Sequence, residues 1–148
     1  MIYISSDHRG FNLKKYILNN LTKKGYEVKD LGPKELNLND DYPDFAHIIA
    51  EKVQENDQNK GIIICGNGVG VSITTNKFKG IRTTLSWTAN HAKSSRNDDN
   101  SNILALPSDY ISKKQALKAT ITWLNTPFSS EERHLRRLQK IKDIESNA

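Results

Sequence analysis

The sequence is poor in cysteine and in long apolar runs, and each shortage argues against a class of protein. Its single cysteine, Cys65, excludes an internal disulfide. No apolar run approaches the length of a membrane span, and no basic and apolar signal segment precedes the first predicted strand. We therefore expect one domain over residues 1–148, in a reducing cytoplasmic setting and without a membrane partner.

Acidic residues are outnumbered, with 17 Asp and Glu against 22 Lys and Arg. The resulting net charge of +5 permits binding of anions, nucleic acid included. However, aromatic residues are few and are not interleaved with the basic residues in the way that suits base stacking. Nucleic-acid binding is therefore the weakest hypothesis. The one basic cluster is more typical of a solvated helix face, and comprises Arg133, Arg136, Arg137, Lys140 and Lys142.

Two common nucleotide-binding motifs are also missing. Residues 61–73 run from a buried-strand pattern into a loop of alternating glycines, but the loop lacks the third glycine of the dinucleotide motif and the Gly-Lys-Ser/Thr of a P-loop. About twenty residues further on, where an acid would bind a ribose, the chain has Asn90-His91. Nicotinamide and ATP are therefore poor candidates for cofactors.

What the loop does contain is a thiol at the end of a strand, followed by glycines that can present backbone amides to a ligand. The helix predicted from Val69 onward favours negative charge at its start. Together these features predict a lowered pKa for Cys65 and a thiolate beside a bound anion. A lone cysteine at a strand end is more often a small buried apolar residue. Both interpretations stay open on the residues alone.

Strand and helix patterns alternate along the whole chain. The predicted strands cover residues 2–5, 27–31, a third run ending on Cys65, 82–87 and 103–106. The predicted helices include a short one over residues 89–95 and a C-terminal one over about 129–145. Ser112 with Gln115, and Ser129 with Glu132, have the spacing of capping boxes.

This alternation predicts an α/β fold with a five-stranded parallel sheet between two layers of helices. In such sheets ligands bind at the carboxyl ends of the strands. That edge would gather Asp7, His8, Cys65 with its loop, and the turns after Trp87 and Leu106.

Several ordered blocks of the sequence resemble the type B ribose-5-phosphate isomerases, a family that includes galactose-6-phosphate and allose-6-phosphate isomerases. The blocks cover nearly the whole chain: Ser6-Asp7-His8-Arg9-Gly10-Phe11, Asp41-Tyr42-Pro43-Asp44, residues 61–70, Gly80-Ile81-Arg82, residues 102–106, and Arg133-His134 followed by Arg137.

The resemblance implies a Rossmann-like domain that forms a homodimer or tetramer, with each site built from two subunits and a sugar phosphate as the small-molecule partner. Cys65 matches the base that moves a proton between C1 and C2, since Val71 stands where another branch carries a glutamate base. Arg133 and Arg137, one helical turn apart, match the phosphate ligands. No metal or cofactor is implied. The residues that match substrate-binding positions are Asp7, His8, Gly66, Asn67, Gly68, Val69 and Gly70.

Six positions depart from the family pattern, two of which are adjacent glycines replaced by Glu131 and Glu132. Asp98 replaces the histidine that opens the sugar ring, and as a carboxyl group it donates a proton only if its environment keeps it protonated. Asp99 replaces a substrate-binding asparagine, and Asn67 replaces a threonine or serine. Asp109 stands where many relatives carry an arginine, so its carboxylate is expected to repel a phosphate dianion.

The favoured hypothesis is an isomerase that converts ribose 5-phosphate to ribulose 5-phosphate through an enediolate, with Cys65 as base and Asp98 at the ring-opening position. Such chemistry requires a base at the carbon-bound proton, donors for the enediolate oxygens and a phosphate clamp. One alternative is an isomerase of allose or galactose 6-phosphate. Another is a paralogue that binds a sugar phosphate without turning it over, because Asp98 and Asp109 replace expected basic residues.

Overall fold

Five parallel strands form one sheet in the computed structural model, which describes residues 1–147. The strands are β1 (Ile2–Ser6), β2 (Val28–Asp30), β3 (Lys60–Cys65), β4 (Thr83–Leu85) and β5 (Ile103–Pro107). Their order in the sheet is β2-β1-β3-β5-β4, and every neighbouring pair is parallel. The predicted five-stranded parallel sheet is confirmed.

In the described part of the chain, six helices accompany the sheet: α1 (Phe11–Lys23), α2 (Tyr42–Gln54), α3 (Val69–Thr75), α4 (Ala89–Asp99), α5 (Lys113–Asn125) and α6 (Glu132–Ser146). One apolar core joins α1, α4 and α5 to one face of the sheet, and a second joins α2 and α3 to the other. The protein therefore has three layers, as the alternating pattern predicted. None of the helices in residues 1–147 is both long and apolar enough to cross a membrane.

The central strand β3 shows why this sequence is a buried strand. Ile62 and Ile64 face the first core, while Ile63 and Cys65 face the second. β-Branched side chains suit a strand covered on both faces, because the pleat sends successive side chains to opposite sides. The cysteine continues this alternation and is 3% exposed.

Helix α4 begins at Ala89, as predicted, but it ends later than residue 95, the predicted end. Thr88 caps its start, with the hydroxyl accepting the N–H of His91 at 3.2 Å. Asn100 ends it in the left-handed conformation, with φ of 48°. The helix therefore continues to Asp99, because the polar residues after position 95 lie on its last turn rather than in a loop.

One of the two predicted capping boxes forms and the other does not. Ser112 and Gln115 exchange the expected hydrogen bonds, both at 3.2 Å. Ser129 is not a helix cap, since α6 begins at Glu132 and the Ser129 hydroxyl lies 2.7 Å from Nδ1 of the buried His134. The Ser129 hydroxyl, which the sequence spacing predicts as a helix cap, is therefore hydrogen-bonded to the histidine instead.

Helix α6 lies across the amino ends of the strands rather than on either face of the sheet. His134 anchors its first turn and is 2% exposed. Near the other end, the Glu145 carboxylate accepts the N–H of Gly80 at 3.1 Å. The apolar side of the helix remains open, with Leu135, Ile141 and Ile144 exposed.

Candidate active site at the carboxyl edge of the sheet

Three strand ends are tied together at the carboxyl edge of the sheet. The N–H of Asp7 donates to the Ile64 carbonyl at 3.1 Å, and the N–H of Ser108 donates to the Cys65 carbonyl at 2.9 Å. The N–H of Asp109 donates to the Gly66 carbonyl at 2.9 Å. The structure therefore brings together the segments after β1, β3 and β5, as expected for ligand sites in parallel sheets.

The Cys65 thiol lies at the centre of this edge. Its Sγ accepts the N–H of Gly68 at 3.2 Å and lies 3.9 Å from the Asn67 side-chain oxygen, to which the thiol donates. Burial raises the pKa of Cys65, while backbone N–H groups of Val71, Gly68 and Asn67 oppose this effect and Asp7 adds to it. The expected lowering of the pKa is therefore wrong for the free chain, because loss of solvent outweighs the loop amides.

Neighbouring atoms crowd the glycines of the loop, and Gly68 and Gly70 show this at the start of α3. Gly68 has a φ of 72°, and a Cβ there would lie 3.2 Å from the Pro107 nitrogen and against the Leu85 side chain. A Cβ on Gly70 would lie 2.5 Å from the Tyr42 ring. The side-chain oxygen of Asn67 accepts the N–H of Val69 at 3.0 Å, which organises the start of α3. Asn67 thus contacts both the helix start and the thiol.

Asp7 lies beside the thiol, and the adjacent His8 contacts a third residue, Asp40. The Asp7 carboxylate accepts the N–H of Gly10 at 2.9 Å, and burial raises the pKa of Asp7, with a smaller contribution from Asp40. One oxygen of Asp40 contacts both the His8 N–H, at 3.0 Å, and the His8 Nδ1, at 2.6 Å. The other Asp40 oxygen is buried and has no partner among residues 1–147.

Sequence reasoning missed Asp40, although it lies one residue before the block Asp41-Tyr42-Pro43-Asp44 that carries the family resemblance. The residue falls in an irregular polar stretch whose conformation no periodicity predicts. Its contact with His8 spans 32 positions along the chain. The position of Asp40 in the chain was a usable signal. In a parallel sheet, the loop that leads from the carboxyl end of a strand to the next helix lies at the ligand-binding edge, and Asp40 is a polar residue of such a loop.

Asp109 does not stand alone at this edge, because it forms an ion pair with Arg9. The pair lies over Gly66, where an added Cβ would meet the Arg9 Nε at 2.6 Å and an Asp109 carboxylate oxygen at 2.9 Å. The Arg9 guanidinium therefore offsets the negative charge that was expected to repel a phosphate.

The remaining candidate residues lie in a second group, on α4 and α6. Asp98 accepts a hydrogen bond from the Asn97 side chain at 2.7 Å and lies 3.9 Å from Nε2 of His134. Arg133 pairs with Glu131 at 2.8 Å, and Arg137 is exposed. Asp99 lines a small cavity beside the amino end of β4.

The two groups lie at opposite edges of the sheet. Cys65 ends β3, whereas Lys60, the first residue of the same strand, lines a cavity against α6. Six residues of strand span about 16 Å. A single chain therefore brings Asp7, His8 and the loop residues 66–70 to Cys65, but does not bring Asp98, Asp99, Arg133 or Arg137 there.

The immediate surroundings of Cys65 limit the chemistry at this edge. Val71 is fully buried and contributes no carboxylate. Within residues 1–147 no group of three or more His, Cys, Asp or Glu side chains is arranged to hold a metal ion. The groups available for chemistry are a thiol, two buried carboxyl groups, an imidazole, backbone amides, the Asn67 side chain and the Arg9–Asp109 ion pair.

Comparison with known proteins places these features in a family. Residues 2–141 match the family model described as Ribose/Galactose Isomerase. A protein of Mycoplasma genitalium described as a probable ribose-5-phosphate isomerase B is 43% identical over 141 residues, which cover 95% of this chain and 92% of that protein.

Solved structures agree with the sequence match. A crystal structure of ribose-5-phosphate isomerase B from Mycoplasma genitalium with bound ribulose-5-phosphate superposes with a TM-score of 0.95 and 41% identity, over 99% of this chain and 97% of that one. Ribose-5-phosphate isomerase B from Clostridium thermocellum superposes with a TM-score of 0.92 and 43% identity, over the same shares of the two chains.

Proposed function

Because this chain belongs to the ribose/galactose isomerase family, we propose that it interconverts an aldose phosphate and a ketose phosphate. Ribose 5-phosphate and ribulose 5-phosphate are the first choice of substrates, since the relatives of highest similarity named above are ribose-5-phosphate isomerases. The observation that carries the proposal is the Cys65 thiol inside an amide-lined loop, beside Asp7.

In the proposed reaction, the Cys65 thiolate removes the proton from C2 of the open-chain aldose. The electron pair of the broken C–H bond forms the C1–C2 double bond of an enediolate, whose oxygens are stabilised by backbone N–H groups of the loop 66–70. A proton passes from the C2 hydroxyl to O1 so that the C2 carbonyl can form, and the thiol returns the carbon-bound proton to C1, which gives the ketose. Because burial raises its pKa, the free thiol is mostly protonated at neutral pH and becomes a more effective base as pH rises.

The phosphate clamp comes from a second copy of the chain in this proposal. Arg133 and Arg137 lie on α6, at the opposite edge from Cys65, so a site that uses all three residues needs two chains. The open apolar residues Leu135, Ile141 and Ile144 on the same helix are suited to a subunit contact. We propose a homodimer in which each subunit supplies Arg133 and Arg137 from α6, and Asp98 and Asp99 from the end of α4, to the site of the other.

Turnover assays of the purified protein test the function. We expect isomerisation of ribose 5-phosphate faster than that of allose 6-phosphate or galactose 6-phosphate. Replacing Cys65 with Ala should lower the rate at least about a hundredfold, because a positioned base contributes about 10²–10⁴ in rate.

A thermal-shift measurement with ribose 5-phosphate serves as the control for folding and binding in the Cys65→Ala variant. Binding without turnover of any of the three sugars by the unmodified protein would favour the paralogue that binds but does not isomerise. Full activity of the variant would instead remove Cys65 from the mechanism.

A further inference from the structure

A cavity of about 740 Å³ lies at the amino edge of the sheet, between the strand starts and α6. Its walls include Lys60 at the start of β3, Arg82 before β4, Arg96 on α4, and Leu138 on α6. The cavity is at the opposite edge of the sheet from Cys65. None of the residues that we assign to the proposed reaction lines it. Its volume is in the range of about 300–1,000 Å³ that is typical of small-molecule sites.

The charge of this cavity is strongly unbalanced. Among residues 1–147, five cationic side chains and two carboxylates line it: Lys60, Lys79, Arg82, Arg96 and Lys142 against Asp57 and Glu145. The Glu145 carboxylate is already used, since both of its oxygens accept the N–H of Gly80 at 3.1 Å. Among residues 1–147, no carboxylate lies within ion-pair distance of Lys60, Arg82 or Arg96, because no salt bridge of 4 Å or less involves them.

Neutral oxygens hold the two guanidinium groups in place. Arg82 donates from Nε to the Asn100 carbonyl at 3.0 Å and from Nη1 to the Gly80 carbonyl at 3.2 Å. Arg96 is 7% exposed and donates from Nη1 to the Asn100 side-chain oxygen at 2.9 Å. It also donates to two backbone carbonyls, those of Ser101 and Thr126. These contacts fix both guanidinium groups near the end of α4, but carbonyl and amide oxygens carry no full charge to balance them.

Lys60 completes a triangle of cations that repel one another. Burial lowers the pKa of the Lys60 ammonium, and the positive charges of Arg96 and Arg82 lower it further, while the Asp57 carboxylate opposes them with a smaller effect. The pKa values of both arginines are also lowered by burial. A bound anion would relieve this repulsion, and guanidinium groups bind phosphate oxygens in a bidentate manner.

We propose that the cavity binds a small, multiply charged anion of the phosphate class, with Lys60, Arg82 and Arg96 as its ligands. The site is separate from the substrate phosphate clamp proposed for Arg133 and Arg137, and it does not depend on turnover. The cavity lies against α6, so a bound anion would lie next to the helix that we propose as the subunit contact.

Isothermal titration calorimetry with inorganic pyrophosphate tests this site in the complete chain, at a constant ionic strength of about 0.15 M so that surface charges are screened. Lys60→Gln should weaken binding at least about tenfold, and Lys60→Arg should restore it, because the charge is restored. Lys29→Gln is the matched control, since Lys29 is an exposed lysine on β2 and carries the same charge. Circular dichroism monitors folding of each variant.

An Arg137→Ala variant separates this site from the proposed substrate site. Pyrophosphate binding that persists in Arg137→Ala and weakens in Lys60→Gln supports the cavity. Three results would overturn it: no binding by the unmodified protein, equal weakening in Lys29→Gln, or loss of binding in Arg137→Ala alone. The first of these would also be the outcome if acidic residues of a second copy fill the cavity.

Discussion

At the scale of single residues, Cys65 combines the two roles that its sequence position left open. Its side chain continues the apolar alternation of β3 and is buried in the core beneath α2 and α3. The same sulfur accepts the N–H of Gly68 and lies beside the carboxylate of Asp7. A residue can therefore be part of a core and still lie within reach of a ligand site, because the core ends where the strand ends.

Alkylation of Cys65 by iodoacetamide should report the raised pKa. The thiolate is the reactive form, and burial places its pKa above the ordinary value of about 8.5. We expect slow labelling at pH 7 and a rate that rises about tenfold per pH unit, without a plateau up to pH 8.5. Mass spectrometry measures the labelled fraction with time, and glutathione serves as a solvent-exposed thiol control. A plateau below pH 7.5 would mean that the loop amides outweigh burial.

At the scale of elements, two loop glycines show how backbone conformation and packing combine. Gly68 lies between β3 and α3, and Gly80 lies between α3 and β4. Both have left-handed φ values, of 72° and 76°. Only Gly68 is surrounded, since nothing lies within 4 Å of a Cβ built on Gly80. The first position is therefore restricted to glycine by the backbone and by its neighbours, and the second by the backbone alone.

Alanine at these two positions should separate the two effects. Gly80→Ala should lower the free energy of unfolding by about 1 kcal/mol, the cost of a left-handed conformation. Gly68→Ala should lower it by about 3 kcal/mol, because the methyl group also overpacks against Leu85 and Pro107. Urea denaturation followed by circular dichroism measures both values. Equal losses would show that the Leu85 side chain moves aside at little cost.

At the scale of the whole molecule, the sheet separates two sets of residues that the proposed reaction needs together. The thiol group lies at the carboxyl edge, and the arginines of α6 lie toward the amino edge. A homodimer brings the two sets together if the carboxyl edge of each subunit faces the amino edge of its partner. A two-fold axis produces this self-complementary contact.

Subunit complementation tests this arrangement. Cys65→Ala and Arg137→Ala chains, each of low activity alone, are co-expressed with different tags and purified as the mixed dimer. If each site uses Cys65 from one subunit and Arg137 from the other, one of the two sites is complete, and about half of the unmodified activity per dimer should return. If each site belongs to one chain, both sites remain defective and no activity returns.

Several features of this protein follow from short stretches of sequence. The alternation of strands and helices predicts the parallel sheet, the three isoleucines of β3 predict burial on both faces, and the Ser112 capping box forms as its spacing indicates. These features depend on contacts between residues close in the chain, or on a periodicity that any packed sheet would use. They are therefore visible before the fold is known.

Other features depend on residues that are distant in sequence. Asp40 reaches His8 across 32 positions, and Asp109 reaches Arg9 across 100. His134 takes the hydroxyl that Ser129 was expected to use as a helix cap. The chain alone therefore determines which elements form and which side chains the loops carry. The direction of the Cys65 pKa shift, the pairing of Asp109 and the position of α6 are decided in the folded protein, because burial and charge pairing arise only when distant segments meet.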